Sequence, residues 1–304
     1  MSSINPKTYE PAESTPVAFL GLGVMGYPMA GHLAQAGHAV SVYNRSAAKA
    51  EAWVKEFANS KAPKAATTPR EAAKGARIVF CCVGNDDDLR SVVLGADGAL
   101  AGMEPGTVFV DHTTASANVA RELYDAAKNL GIHFIDAPVS GGQAGAQNGL
   151  LTVMCGGDAP VFDRVKPVAM AFSRAFTLMG EPGAGQLTKM VNQICIAGLV
   201  QGLSEAIAFG QKAGLDVNLV LDVIGKGAAQ SWQMDNRGKT MVADKFDFGF
   251  AVDWMRKDLG LVFDEAHRNG AQLPVTQLVD QFYGEVQKMG GNRWDTSSLI
   301  KRLR

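Results

Sequence analysis

Cysteine is scarce: Cys81, Cys82, Cys155 and Cys195 are the only four in 304 residues. None form a Cys-x-x-Cys pair, and Cys81-Cys82 are neighbours in an apolar run. They read as small buried hydrophobes in a reducing compartment and exclude a disulfide framework. The five histidines (His32, His38, His112, His133, His267) are scattered without ligand spacing, so no metal is assigned. Excess charge is also missing. A formal net charge of -1 leaves no electrostatic footprint for nucleic acid or an anionic membrane. Long uninterrupted apolar runs are absent too. The region Met190 to Phe209 is broken by Asn192, Gln193, Gln201, Ser204 and Glu205, which predicts a buried helix of a soluble protein rather than a membrane span. Met1 to Thr15 lacks the apolar stretch of a signal peptide and reads as a disordered tail. A cytoplasmic location is the expectation.

What is present is alternation. Short apolar runs at Val17-Leu20, Ala39-Tyr43, Ile78-Val83, Val108-Asp111, Phe134-Ala137, Leu151-Cys155 and Ala175-Leu178 predict strands. Helical patterns fall between several of them: to about Ala36, from Ser46 to about Ala58, Ala117-Leu130 and Val161-Phe172. Thr68-Pro69-Arg70-Glu71 has the form of a capping box with proline at the first helical position. Such alternation predicts a Rossmann-type, doubly wound, mostly parallel α/β sheet over residues 16–180. Glu181 to Gly185 breaks the pattern. Beyond it helical spacing dominates, over Gln186-Ala213, Val217-Gly225, Met255-Gly270 and Val275-Met289. Residues 181–304 therefore read as an all-helical domain for substrate and dimerisation. Asp216 caps its second helix and Gly214 ends its first.

Gly21-Leu22-Gly23-Val24-Met25-Gly26 fits G-x-G-x-x-G, after an apolar strand and at the start of a helix. Gly21 makes the tight turn, Gly23 lets the backbone approach a pyrophosphate, and Gly26 permits close helix–strand packing. The amides around Val24 and Met25 and the helix dipole then hold the anion. About twenty residues on, where an NAD-selective domain carries an acid, this chain reads Asn44-Arg45-Ser46. Arg45 suits a 2′-phosphate, with Asn44 and Ser46 as further donors. NADP(H) is the expected cofactor, with NAD(H) also possible.

Three more segments complete a pattern: Asp136-Ala137-Pro138-Val139-Ser140-Gly141-Gly142, then Gly183 to Gln193 with Lys189 and Asn192, then Lys257-Asp258-Leu259-Gly260-Leu261. With the glycine loop, they resemble the four signatures of the β-hydroxyacid dehydrogenase family, from Val17 onward. This family includes 3-hydroxyisobutyrate dehydrogenases, tartronate semialdehyde reductases and glyoxylate/succinic semialdehyde reductases, and 6-phosphogluconate dehydrogenase is a larger relative. The resemblance implies Lys189 as catalytic acid/base. It implies Ser140, Gly141, Gly142 and Asn192 as substrate-binding residues. It places Thr114, in Asp111-His112-Thr113-Thr114, near both nicotinamide and substrate, Lys257 over the cofactor, and Phe250 in the pocket. Val83 falls on the cofactor side. Two departures stand out. Many members have two asparagines where this chain has Asn192-Gln193, and the loop Val83-Gly84-Asn85 lacks a proline usual there.

The chemistry asks for these residue types. Hydride reaching a carbonyl carbon leaves negative charge on oxygen, which a lysine stabilises and then protonates. Lys189 and Asn192 are three apart and share a helix face. Ser140 and the two glycine amides suit a carboxylate, which fixes the reacting carbon. The expected activity is hydride transfer between nicotinamide and a short 3-hydroxy acid or carboxylated aldehyde. Imine reduction, where relatives place Asp or Tyr at the lysine position, and a non-catalytic NADP-binding module are the alternatives. The apolar length of the helix after Lys189 predicts a homodimer or homotetramer.

Overall fold

A computed structural model describes residues 3–10 and 13–304. The chain divides into two compact units, Met1–Lys189 and Met190–Arg304. The first unit opens with β1 (Pro16–Leu20), α1 (Gly26–Gln35), β2 (Ala39–Tyr43), α2 (Ala47–Glu56), β3 (Lys64–Ala65) and α3 (Pro69–Ala73). It continues with β4 (Ile78–Cys81), α4 (Asp86–Leu94), β5 (Val108–Asp111), α5 (Ala117–Asn129), β6 (His133–Asp136) and β7 (Val139–Ser140). Then come α6 (Gly142–Gln147), β8 (Leu151–Gly157), α7 (Ala159–Ala169), β9 (Ser173–Gly180) and the start of α8 (Ala184–Lys212).

The strands form one sheet in the order β3-β2-β1-β4-β5-β6-β8-β7, with β9 on the other edge of β8. Strands β1 to β6 pair in parallel in the order 3-2-1-4-5-6, the doubly wound Rossmann arrangement. β8 runs antiparallel to β6 and β7. Apolar strands suit this sheet because both faces are covered. Val17, Phe19, Phe80 and Val110 enter one core, and Ala18, Leu20, Val79 and Phe109 enter the other. Phe19 stacks on its register partner Phe80, and Phe109 on Phe134.

The second unit is helical. After α8 come α9 (Val217–Ile224), α10 (Trp232–Val242), α11 (Val252–Asn269) and α12 (Pro274–Lys288). Asp216 caps α9 by accepting from the amides of Asn218 and Leu219, and Gly214 takes a left-handed φ of 73°. Thr68 caps α3 as expected, although Glu71 reaches back to Thr67 rather than to Thr68.

Several expectations are corrected. Of the stretch read as a disordered tail, Met1, Ser2, Pro11 and Ala12 lie outside the described residues, but residues 3–10 pack against the first unit. Ile4 is buried, Lys7 Nζ donates to the carbonyls of Gly149, Met170, Ala171 and Ser173, and the Tyr9 hydroxyl meets His32 Nδ1. A few specific contacts anchor a segment that is polar in composition. The unit division falls inside α8, after Lys189 instead of at 180/181, because the first turns of α8 are tied to the sheet. Cys195 is exposed, not buried. α8 is likewise only half buried along its most apolar stretch, and Val191, Leu199 and Phe209 are exposed on it. Helices α4, α6 and α10 and the two-residue strands β3 and β7 were not expected from the sequence pattern.

Candidate active site

The site begins where β1 ends. Gly21 adopts φ +95°, and a Cβ there would come within 2.2 Å of the Cys82 carbonyl oxygen. At Gly26 a Cβ would meet the Gly21 oxygen at 2.0 Å, so α1 can start this close to β1 only with glycine. A Cβ at Gly23 would meet nothing within 4 Å, and no side chain caps α1. The loop therefore has open space in front of its second glycine at an uncapped helix start, which fits a dinucleotide pyrophosphate. Val24 is exposed beside it.

Asn44 supports this loop from β2: its Oδ1 accepts from the Leu22 amide at 2.9 Å, and its Nδ2 donates to the Ser46 carbonyl. Its amide thus shapes the loop. Ser46 occupies the N-cap position of α2 but makes no side-chain cap bond. The Arg45 side chain is 92% exposed, with Asp88 at 3.9 Å. An exposed guanidinium thus stands beside an N-cap serine that makes no side-chain cap bond.

The ends of β4, β5 and β6 supply the next layer. Val83 donates its amide to Thr113 Oγ1, and the Thr113 amide donates to Asp111 Oδ1 at 2.9 Å. His112 Nδ1 lies 2.6 Å from the Ala137 carbonyl; a carbonyl only accepts, so this nitrogen carries the proton. Burial pushes the Asp111 carboxyl up to about 7, against hydrogen bonds from Thr113, and lowers His112 to about 4.

Asp136 and Asp111 are register partners on β6 and β5. The Asp136 carboxylate accepts from the amides of Gly183 at 2.7 Å and Gln186 at 2.9 Å, so it caps α8 from another strand. Burial still raises Asp136 to about 6, because those amides offset desolvation only in part. Gln186, fully buried, donates Nε2 to the Thr113 carbonyl at 2.7 Å and accepts from the Ala115 amide at 3.0 Å. Thr114 is the residue between those two. Lys189 follows one turn after Gln186 and is buried. Ser140 ends β7, and Gly141 and Gly142 take φ of 128° and 62° to turn into α6, presenting backbone amides that a carboxylate can accept from.

In the second unit, Asn192 Nδ2 donates to Gln193 Oε1 at 2.7 Å, and Gln193 Nε2 donates to Asp258 Oδ2 at 2.6 Å. Asp258, buried, pairs with Lys257 at 2.8 Å. The Asn192-Gln193 departure therefore joins Asn192 to the Lys257 segment. Phe250 packs on the helical core, and its amide donates to Asp295 Oδ2.

Lys189 and the segments around Thr114 and Asp136 thus lie in one unit, while Asn192, Lys257 and Phe250 lie in the other. Sequence reasoning gave no role to Asp136 or Gln186. Each sits in one of the motifs above, and the signal available was a polar residue at a strand end (Asp136) or just after two glycines at a helix start (Gln186). No group of three or more metal-ligating side chains is found among the described residues.

Two family models match the chain. The NAD-binding domain of 6-phosphogluconate dehydrogenase covers residues 16–180, and the NAD-binding region of NADP-dependent 3-hydroxyisobutyrate dehydrogenase covers 183–303. An uncharacterized oxidoreductase of Shewanella frigidimarina is 65% identical over 94% of this chain and 97% of its own. The 2-hydroxy-3-oxopropionate reductase of Escherichia coli is 33% identical over 94% and 96%. The structure of 3-hydroxyisobutyrate dehydrogenase from Mycobacterium tuberculosis with L-serine superposes with a TM-score of 0.84 at 31% identity, covering 96% of this chain and 99% of that one.

Proposed function

The chain belongs to the β-hydroxyacid dehydrogenase family of NAD(P)-dependent oxidoreductases, and from that premise we propose that it reduces a short carboxylated aldehyde, or oxidises the matching 3-hydroxy acid, with NADP(H) and with Lys189 as acid/base. The observation that carries this reading is a buried lysine on a helix start that Asp136 ties to β6 and Gln186 ties to the 111–115 segment. The nicotinamide, when bound, supplies or takes the hydride. Ser140 and the Gly141 and Gly142 amides hold the substrate carboxylate, which orients the reacting carbon. In reduction the Lys189 ammonium stabilises the oxygen as charge grows on it and then gives it the proton. In oxidation the same nitrogen, neutral, takes the hydroxyl proton. Asn192, one turn on, orients the substrate.

NADP(H) is favoured because the residues that follow β2, Asn44-Arg45-Ser46, put a cation where an NAD-selective domain carries an acid. The relatives' names support the substrate class: a 2-hydroxy-3-oxopropionate is a carboxylated aldehyde, and serine is a 3-hydroxy acid. The exposed apolar row of α8 is the face that a second copy covers.

The test is a panel of carboxylated aldehydes with NADPH and NADH, for wild type and Lys189→Ala. Lys189→Ala should lose at least 100-fold, or about that order, in kcat while NADPH still titrates the protein. More than a tenth of wild-type turnover in that variant removes Lys189 from the role. A lower KM for NADH than for NADPH overturns the cofactor assignment. Turnover of cyclic imines alone would move the enzyme to imine reduction.

A further inference from the structure

Glutamine is ordinarily a surface residue, yet Gln186 is 0% exposed. Both ends of its amide are engaged, and with opposite polarity. Nε2 donates to the Thr113 carbonyl at 2.7 Å, and Oε1 accepts from the Ala115 amide at 3.0 Å. Its own backbone N–H ends on Asp136 Oδ2 at 2.9 Å. One residue thus holds both peptide neighbours of Thr114, is itself held by β6, and precedes Lys189 by one turn of α8.

We propose that Gln186 is a positioning residue that sets the Thr114 turn and the Lys189 helix start relative to each other, so that both address the same substrate. This rests on the reading of Lys189 as acid/base. The amide is suited to the task because it gives a donor and an acceptor on one rigid plane. A leucine of similar size provides neither and leaves the Thr113 carbonyl and the Ala115 amide unpaired in a dry site. An ionised carboxylate accepts from Ala115 but repels the Thr113 oxygen. A protonated carboxyl restores the donor.

Gln186→Glu is therefore a pH-controlled version of the clamp. The charged groups on the elements packed there are Asp136 of β6, Asp111 of β5, Asp86 of α4 (bonded to Ser116), Arg121 of α5 (beside Gly183) and Lys189 of α8 itself. Burial and the two nearest aspartates hold the new carboxyl protonated well above the ordinary glutamate range.

The experiment measures kcat, KM for the aldehyde and KM for NADPH between pH 5 and 8 for wild type, Gln186→Glu and Gln186→Leu, with melting temperatures at each pH. The ratio of Gln186→Glu to wild-type kcat should stay within about threefold of one at the acid end and fall roughly 100-fold by the alkaline end. Gln186→Leu should be low throughout, and KM for NADPH should stay within about twofold of wild type, since the glycine loop is untouched. A ratio that is flat with pH, or a loss of kcat that tracks loss of folded protein at the assay temperature, overturns the positioning role. Lys189→Ala run alongside separates the two claims. Turnover surviving there overturns the acid/base reading and this one with it. A dead Lys189→Ala beside a pH-insensitive Gln186→Glu overturns the positioning role alone.

Discussion

Asp111 and His112 are neighbours in sequence, both buried, and they pull the pH dependence of stability in opposite directions. The folded state prefers Asp111 protonated, with its carboxyl raised from 3.8 to about 7. Its contribution is complete below 3.8 and is lost as pH climbs through about 7. The folded state prefers His112 neutral, lowered from 6.5 to about 4, so its contribution is complete above 6.5 and is lost as pH falls through about 4. Asp111→Asn removes only the first slope. The melting temperature of Asp111→Asn minus that of wild type should therefore rise between pH 4 and 7, and calorimetry showing a constant difference would contradict the burial account. At this scale the sequence offers as candidates the residues whose chemistry travels with a motif, such as Lys189 and Ser140. It did not reveal Asp136 and Gln186, whose work is defined by neighbours 47 to 73 positions away in the chain.

Elements are placed by what closes around them. Gly185 lies in the first turn of α8, and a Cβ there would stand 2.4 Å from the Met154 carbonyl oxygen and 2.7 Å from both the carbonyl and Oδ2 of Asp136. Gly185→Ala should push α8 off its Asp136 cap. Thermal unfolding should show a loss of about 1–3 kcal/mol, and kcat should fall with it because Lys189 rides on the next turn of the same helix. An unchanged melting temperature would mean that β8 yields instead. Strands β1, β4, β5 and β6 were legible as near-continuous apolar runs because both faces are covered, and β2 as a short run that alternates buried Val40 and Val42 with half-buried neighbours. α4 was not, because it opens with Asp86-Asp87-Asp88, a charge run that resembles a loop. Those acids sit in the first turn, and Asn85 accepts from the Asp88 amide, so the run stabilises the helix start. α6 hides behind two glycines in six residues, and α10 behind a mostly polar sequence capped by Ser231.

For the whole molecule, the doubly wound, mostly parallel sheet and the helical second half were both legible from alternation followed by its loss at Glu181–Gly185. The location of the unit boundary was not, because α8 runs through it without any break in pattern. Val191, Leu199 and Phe209 fall along one side of this helix and are 60%, 46% and 74% exposed. Light scattering should give at least twice the chain mass for wild type, and Leu199→Asp should shift it toward a single chain. A wild-type protein that is already monomeric would rule out this use of the face. The N-terminal arm has a practical consequence of its own. An ammonium ringed by backbone oxygens is a plug, and a chain trimmed past Lys7 for convenience loses it. Those four carbonyls are then left without their donor, so the trimmed protein should melt earlier than the intact one.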